Sequence, residues 1–392
     1  MNEDHNTPKY YTMPLGPQHP ALIEPEYLKV YLDGETITDV EINLGYMHRG
    51  IEKALQQRTY AHNLFLIERI CGICSSVHTV TYCNMIENMM ELKIPKRAQY
   101  IRVIIAELER LHSHFLWVGI TAYEIGFDTL FQLTWRDREY IMDILEKISG
   151  NRVNYAMNTI GGVRRNITKE KKDIIFKIME KVDACIHHYI DVFVNDSTIT
   201  ARTKNIGILS KDDAIRYAAI GPTARGSGIV CDIRKISPYL IYNKLEFKQI
   251  THNTEDIESR AVVRLKEMLE STKIIRQCLH LMPQGELSVK APATVPKGET
   301  IARTEAPRGE LFYYLLSDGT DKPYRIKIRT PTLANISSIK PMLLNQKLAD
   351  LPIIVASIDP CFCCTERITL VDKKTGNTET VDETYIKSLE RR

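Results

Sequence analysis

The sequence predicts an α+β protein that is mainly α: a central bundle of long helices with an N-terminal β-hairpin and a small C-terminal β-containing region. Three observations predict it. Six segments repeat apolar residues at three- and four-residue steps; an Asp-Gly pair joins two alternating runs near the start; and beyond Lys290 the texture turns to alternating runs broken by Pro and Gly.

Taken in order, Pro14-Leu-Gly-Pro-Gln-His-Pro20 opens the chain, and Tyr27 to Leu32 alternates up to Asp33-Gly34. A second alternating run, Ile37 to Leu44, completes a hairpin, because Asp-Gly readily takes the positive φ angles of a tight two-residue turn. Helical periodicity then runs over Gln56 to Arg69, Ser75 to Leu92 and Arg97 to Tyr123, the last two separated by Pro95. It continues over Leu130 to Ile148, Lys169 to Val194 and Glu255 to Leu281, enough length for a bundle. Ser210 to Asn243, rich in Gly and small residues, reads as a loop-rich insertion. Val289 to Val355, with alternating runs such as Tyr324 to Ile328, reads as β-containing. The expected regions are 1–50 (hairpin), 51–288 (helical bundle), 289–367 (mixed) and 368–392, a charged extension dispensable to a core.

Composition narrows the function. At 392 residues, with 44% apolar and 26% charged residues, the chain can bury a sizeable core, and a net charge of +3 gives no reason to expect nucleic acid. Met1 to Tyr11 is polar with no apolar core, which argues against a secretory signal and predicts a cytoplasmic protein. No apolar run is long enough to span a bilayer, so a membrane connection has to come through partner subunits. The nine cysteines are then metal ligands, redox groups or core thiols rather than structural disulfides.

Four cysteines stand apart. Cys71 and Cys74 form one CxxC pair in Arg69-Ile-Cys-Gly-Ile-Cys-Ser-Ser-Val-His78, and Cys361 and Cys364 form another in Asp359-Pro-Cys-Phe-Cys-Cys-Thr-Glu-Arg367. Thiolates are soft donors that favour zinc, iron, copper(I) and nickel over magnesium or calcium. Nearly the whole chain separates the pairs, whereas a structural zinc site draws its pairs from nearby loops, which weakens zinc. Ser75 is placed to cap the helix after the first pair, whose amide dipoles stabilise thiolate charge. Cys83, Cys185, Cys231 and Cys278 are isolated and read as ordinary thiols, and His112 and His114 as packing or hydrogen-bonding residues.

The two cysteine motifs resemble the first and last signatures of the large subunit of nickel-iron hydrogenases. Gly16-Pro-Gln-His-Pro20, Gly45-Tyr-Met-His-Arg-Gly-Ile-Glu52, Glu107-Leu-Glu-Arg-Leu-His-Ser-His114 and Gly161-Gly-Val-Arg-Arg165 further resemble its membrane-associated, energy-converting branch, which is related to the quinone-site subunit of respiratory complex I.

The resemblance implies that Cys71 and Cys361 are terminal nickel ligands, while Cys74 and Cys364 bridge nickel to an iron carrying carbonyl and cyanide. Cys363 matches no ligand position. Glu24 falls at the proton-relay glutamate, with Glu26 as the fallback. Arg308 falls beside the diatomic ligands, Asp359 orients Arg308, Thr332 donates to a cyanide, and His78 hydrogen-bonds a bridging sulfur. Implied too are an iron-sulfur small subunit, membrane-integral subunits, ferredoxin as electron partner, nickel-insertion factors, and a maturation endopeptidase that cuts between Arg367 and Ile368. The assembly would lie on the inner face of the cell membrane.

Where relatives end the last motif in His, this chain has Arg367, which speaks against a secondary Mg or Fe beside Glu52. The runner-up function is a non-catalytic quinone-site or coupling subunit of the complex I type, which by the resemblance lacks the four ligands. A third reading is a zinc-stapled interaction protein.

Overall fold

The computed structural model describes residues 10–365, 367–372 and 374–381. The expected hairpin is present as β2 (Tyr27–Asp33) and β3 (Thr36–Asn43), and a further strand, β1 (Tyr10–Leu15), pairs antiparallel with β2. Pro14 obscures β1 in the sequence, since proline cannot donate to a ladder, but β1 is an edge strand, where that loss is tolerated. Leu28, Val30 and Leu32 alternate inward with Ile37 and Val40, and this face packs on the short helix Ile339–Leu343 and shares a core with Leu351–Ser357 behind it.

The first helical stretch is broken in two, α1 (Ile51–Leu55) and α2 (Tyr60–Glu68), because Thr59 adopts an extended backbone and its hydroxyl accepts from the His62 amide. There follow α3 (Ser75–Met89), α4 (Lys96–Ile125), α5 (Asp128–Ser149), α6 (Lys169–Asn195) and α7 (Ile257–Leu281). At 30 residues, α4 extends about 45 Å and is the axis of the bundle, packed by α5 and α7.

Because α4 is enclosed on most sides, its polar residues must find partners inside. Glu107 accepts from Arg234, Arg110, Tyr242 and Ser271, and although burial works to raise its pKa, the Arg234 and Arg110 guanidinium groups outweigh it. This network corrects the expectation for Ser210 to Asn243. Beyond loops the segment carries the short helices Lys211–Arg216, Gly221–Arg225 and Ile233–Ile236, and it is part of the core: Thr223, Ala224, Arg225, Ser227 and Arg234 are buried, and Arg225 pairs with Glu267 and Glu305. Its small residues serve close packing against α7, with Gly226 against Ser259 and Arg260.

The C-terminal region is an antiparallel meander, β4 (Gly298–Ala306), β5 (Gly309–Ser317) and β6 (Arg325–Arg329), laid against α3. After α8 (Leu351–Ser357) the chain reaches the second cysteine motif and then a hairpin, β7 (Ile368–Val371) and β8 (Thr378–Val381). That hairpin is held to the body: Thr369 donates its amide to the Leu44 carbonyl and accepts from the Leu44 amide, so this part of the extension is docked rather than loose. The extension beyond Val381 lies outside the described residues. Among the described residues, no helix is long and apolar enough to cross a membrane.

Candidate metal centre

The two distant cysteine motifs meet. The Cys71 and Cys361 sulfurs are 3.4 Å apart, and Cys361 lies 2.8 Å from Cys364. The sulfurs of Cys71, Cys361, Cys363 and Cys364 all lie within 4.8 Å of one another; Cys74, His78 and Cys364 form a second group by the same measure, sharing Cys364 with the first. Cys71, Cys74, Cys361 and Cys364 are buried and Cys363 is half-buried. The isolated thiols stay out of these groups, Cys83 and Cys278 buried, Cys185 and Cys231 half-buried.

Local structure explains how each motif is presented. Cys74 occupies the N-cap position of α3, correcting the expectation that Ser75 does. The capping acceptor comes instead from α4: Glu109 accepts from the Ser76 and Val77 amides, while the Ser75 hydroxyl turns to the Val153 carbonyl. A carboxylate at a helix N-terminus satisfies donors that would otherwise be orphaned. Burial nonetheless pushes Glu109 up to about 8. On the other side, α8 ends at Ser357, and Asp359 takes a left-handed backbone with φ of 58°, which turns the chain so that Pro360 and Cys361 run into the pocket.

The thiols constrain one another electrostatically. Contact with Cys361 holds the Cys71 thiol well below its usual range, whereas Cys361 is pushed up by Cys363 first and then by Cys71, against Cys364, and Cys364 is pushed up by burial. Such a group gives up its protons readily only to a cation that takes their place.

Arg308 brings positive charge beside the sulfurs. It sits at the turn between β4 and β5, buried, donating to the Asp359 carbonyl and carboxylate at 2.7 Å each and to the Ser113 hydroxyl at 3.3 Å. The turn is pressed against Gly221, whose φ is +64°; a Cβ there would stand 2.3 Å from the Arg308 carbonyl. Thr332 accepts the Cys361 amide at 2.9 Å, leaving its hydroxyl proton free to be donated elsewhere. His78 spans from Tyr313, 2.7 Å from its Nδ1, to Cys364, 4.0 Å from its Nε2, and burial lowers it to about 4, so the ring is neutral.

Glu24, in the loop between β1 and β2, accepts the Cys363 amide at 3.0 Å. Burial raises its pKa and the Cys363 amide partly offsets this. It also lines a surface cavity of about 400 Å³ with Gln18, His19 and Leu22. Glu26 behind it is buried with no partner among the described residues for either carboxyl oxygen, and burial, then the Glu24 charge, push it up to about 9. Glu52 is engaged otherwise than by a metal: it accepts the Ile328 amide and lies 3.4 Å from both Lys327 and Arg367. Two cations at one carboxylate repel a divalent ion, so these residues do not fit a secondary metal.

Sequence reasoning missed several residues. Arg49 donates to the Arg69 and Ile70 carbonyls of the first motif and to the Cys363 carbonyl of the second, at 2.6 to 3.0 Å, stitching the two together. Arg49, Glu109 and Ser113 stand within motifs that the sequence singles out, yet nothing local gives them, Tyr313 or Gly221 a role, because each lies far along the chain from what it supports. A buried, sulfur-rich pocket with a fixed guanidinium and a neutral imidazole suits a soft metal centre that carries excess negative charge.

Comparison with known proteins agrees. Residues 124–295 and 287–367 match the family described as the 49 kDa subunit of respiratory-chain NADH dehydrogenase, and residues 49–125 match nickel-dependent hydrogenases. The carbon monoxide-induced hydrogenase of Rhodospirillum rubrum is 42% identical, over 91% of this chain and 99% of its own. The membrane-bound hydrogenase subunit alpha of Pyrococcus furiosus is 43% identical, over 92% of this chain and 88% of its own. A chain of the membrane-bound sulfane sulfur reductase, an archaeal respiratory membrane complex, superposes with a TM-score of 0.86 at 30% identity, over 90% of this chain and 97% of its own. The chain belongs to the oxidoreductase family of nickel-dependent hydrogenase large subunits, in the membrane-associated, energy-converting branch that is related to the 49 kDa subunit of complex I.

Proposed function

We propose that this chain is the catalytic large subunit of a nickel-iron hydrogenase, interconverting dihydrogen with protons and electrons at a thiolate-bridged Ni-Fe centre with carbonyl and cyanide on iron. The observation that carries the proposal is the convergence of Cys71, Cys74, Cys361 and Cys364 with Arg308 and His78 in one buried pocket. Cys71, Cys74, Cys361 and Cys364 would hold the metals of such a centre. When bound, the centre supplies electron-poor metals on which dihydrogen is polarised.

The remaining work falls to the chain. The Cys361 sulfur holds the first proton, and Glu24, joined to the same motif through the Cys363 amide, carries it toward the surface cavity. Arg308, fixed by Asp359 and Ser113, offsets the charge of the thiolates and of diatomic anions. His78 tunes the basicity of Cys364, with Tyr313 fixing its tautomer, and the Thr332 hydroxyl, which accepts the Cys361 amide, would be the donor to a cyanide of the centre. Electrons leave through a separate iron-sulfur small subunit toward ferredoxin, since no other ferredoxin-like cysteine run exists in this chain. Membrane-integral subunits hold the assembly at the inner face of the cell membrane. Cleavage between Arg367 and Ile368 follows nickel insertion.

Metal analysis of the assembled complex tests the reading, together with hydrogen–deuterium exchange activity. Nickel with iron and turnover is the expected result; no metal supports the quinone-site subunit, and zinc alone a structural staple.

A further inference from the structure

The thiol that the hydrogenase resemblance leaves unused is the one the structure holds most deliberately. Cys363 presents its sulfur 3.2 Å from that of Cys361, and its main chain is fixed on both sides. Its amide donates to Glu24, and its carbonyl accepts from Arg49, which also grips Ile70 beside Cys71. Of the five sulfurs in the pocket, it is the one that is not fully buried.

We infer that Cys363 is a fifth sulfur ligand: with Cys71, Cys361 and Cys364 it forms a tetrathiolate site that receives a single soft divalent ion before Cys74 is engaged. The inference rests on the reading of this pocket as a metal centre and adds to it a loading site.

Geometry and charge support it. A tetrahedral ion with metal–sulfur bonds of about 2.3 Å needs sulfurs about 3.8 Å apart. Cys361 lies 3.4, 3.2 and 2.8 Å from Cys71, Cys363 and Cys364, and none of the group's sulfur pairs exceeds 4.8 Å, so each needs only a modest adjustment. Cys74 is not one of these four mutually close sulfurs: it lies beside Cys71 and Cys364 and groups with Cys364 and His78. Binding moves the thiol protons to water and leaves a dianionic four-sulfur complex, beside which Arg308 stands. Half-exposed Cys363 meets the arriving ion first, and fully buried Cys361 and Cys364 draw it inward. Exchange of Cys363 for Cys74, with the proton lost by the Cys74 thiol balanced by one gained at the released Cys363 thiolate, would then convert the loading set into the four-cysteine set of the mature centre.

The test uses the full-length metal-free chain and cobalt(II), whose thiolate charge-transfer intensity and X-ray absorption count sulfur ligands. The expected result is one cobalt with four sulfurs in the native chain. Cys363→Ser should leave three sulfurs and bind about 10–100-fold more weakly, while Cys74→Ser keeps four. In the native chain, cobalt should also shield Cys363 from alkylation, a readout independent of how any variant folds. The inference is overturned if Cys363→Ser keeps four sulfurs while Cys74→Ser loses one, or if Cys363 alkylates equally with and without cobalt. Those outcomes leave the Ni-Fe proposal intact, since that is judged on the metal content of the assembled complex. Conversely, a complex without nickel and iron would defeat the proposed function without altering the cobalt sulfur count.

Discussion

The sulfurs of Cys71 and Cys361 lie 3.4 Å apart across 290 positions of sequence. Neither helix α3 nor helix α8 makes this contact alone. It depends on Arg49 joining the two motifs through Ile70 and Cys363, and on the turn at Asp359.

Replacing Arg49 by Ala removes charge-assisted bonds to both motifs. Because Arg49 is exposed, the cost is modest, about 1–2 kcal/mol in urea unfolding. Loss of metal to a chelator should accelerate more than that stability change alone accounts for. Unchanged chelation kinetics would show that the two motifs hold together without it.

Gly221→Ala drives a methyl group into the Arg308 main chain and strains a left-handed backbone. A loss of about 2–4 kcal/mol is expected, with lower metal loading, because Arg308 cannot retreat without releasing Asp359. A fully stable, fully loaded variant would contradict the tight approach.

Glu24→Gln removes the proposed relay while keeping the hydrogen bond to the Cys363 amide. Hydrogen turnover should fall about 10²–10⁴-fold at unchanged nickel and iron content. A parallel loss of metal would make Glu24 a structural residue instead.

Glu26 gives a pH signature. Its folded pKa of about 9 lies above the ordinary carboxyl value of 4.5, so between those values the folded state retains a proton that the unfolded state has released. Its contribution is fully present below about pH 4.5 and is lost as pH rises toward 9. Glu26→Gln should therefore match the native chain near pH 4 and exceed it by several kcal/mol, to order of magnitude, near pH 8. A difference in unfolding free energy that is flat with pH would mean Glu26 is not held neutral.

Much of the scaffold was legible because helices write their burial locally: the periodicity of Lys169 to Val194 anticipates α6, Lys169–Asn195, almost to the residue. The CxxC pairs were legible for a similar reason, each being a local spacing. What escaped depends on distant pairing. Glu109 caps α3 from 33 residues away, and Tyr313 reaches His78 across 235, with no periodic trace of either. The Gly-rich stretch around Gly226 looked like a loop because small residues that permit close packing have the same composition as small residues that permit bending.

The most direct measurement of the central claim is the infrared spectrum of the mature complex. Sharp bands from metal-bound carbonyl and cyanide, lost together with nickel in Cys364→Ser, are the predicted result. A spectrum without such bands in a complex that still turns over its electron partners would contradict the Ni-Fe centre and leave the four buried thiols without this role.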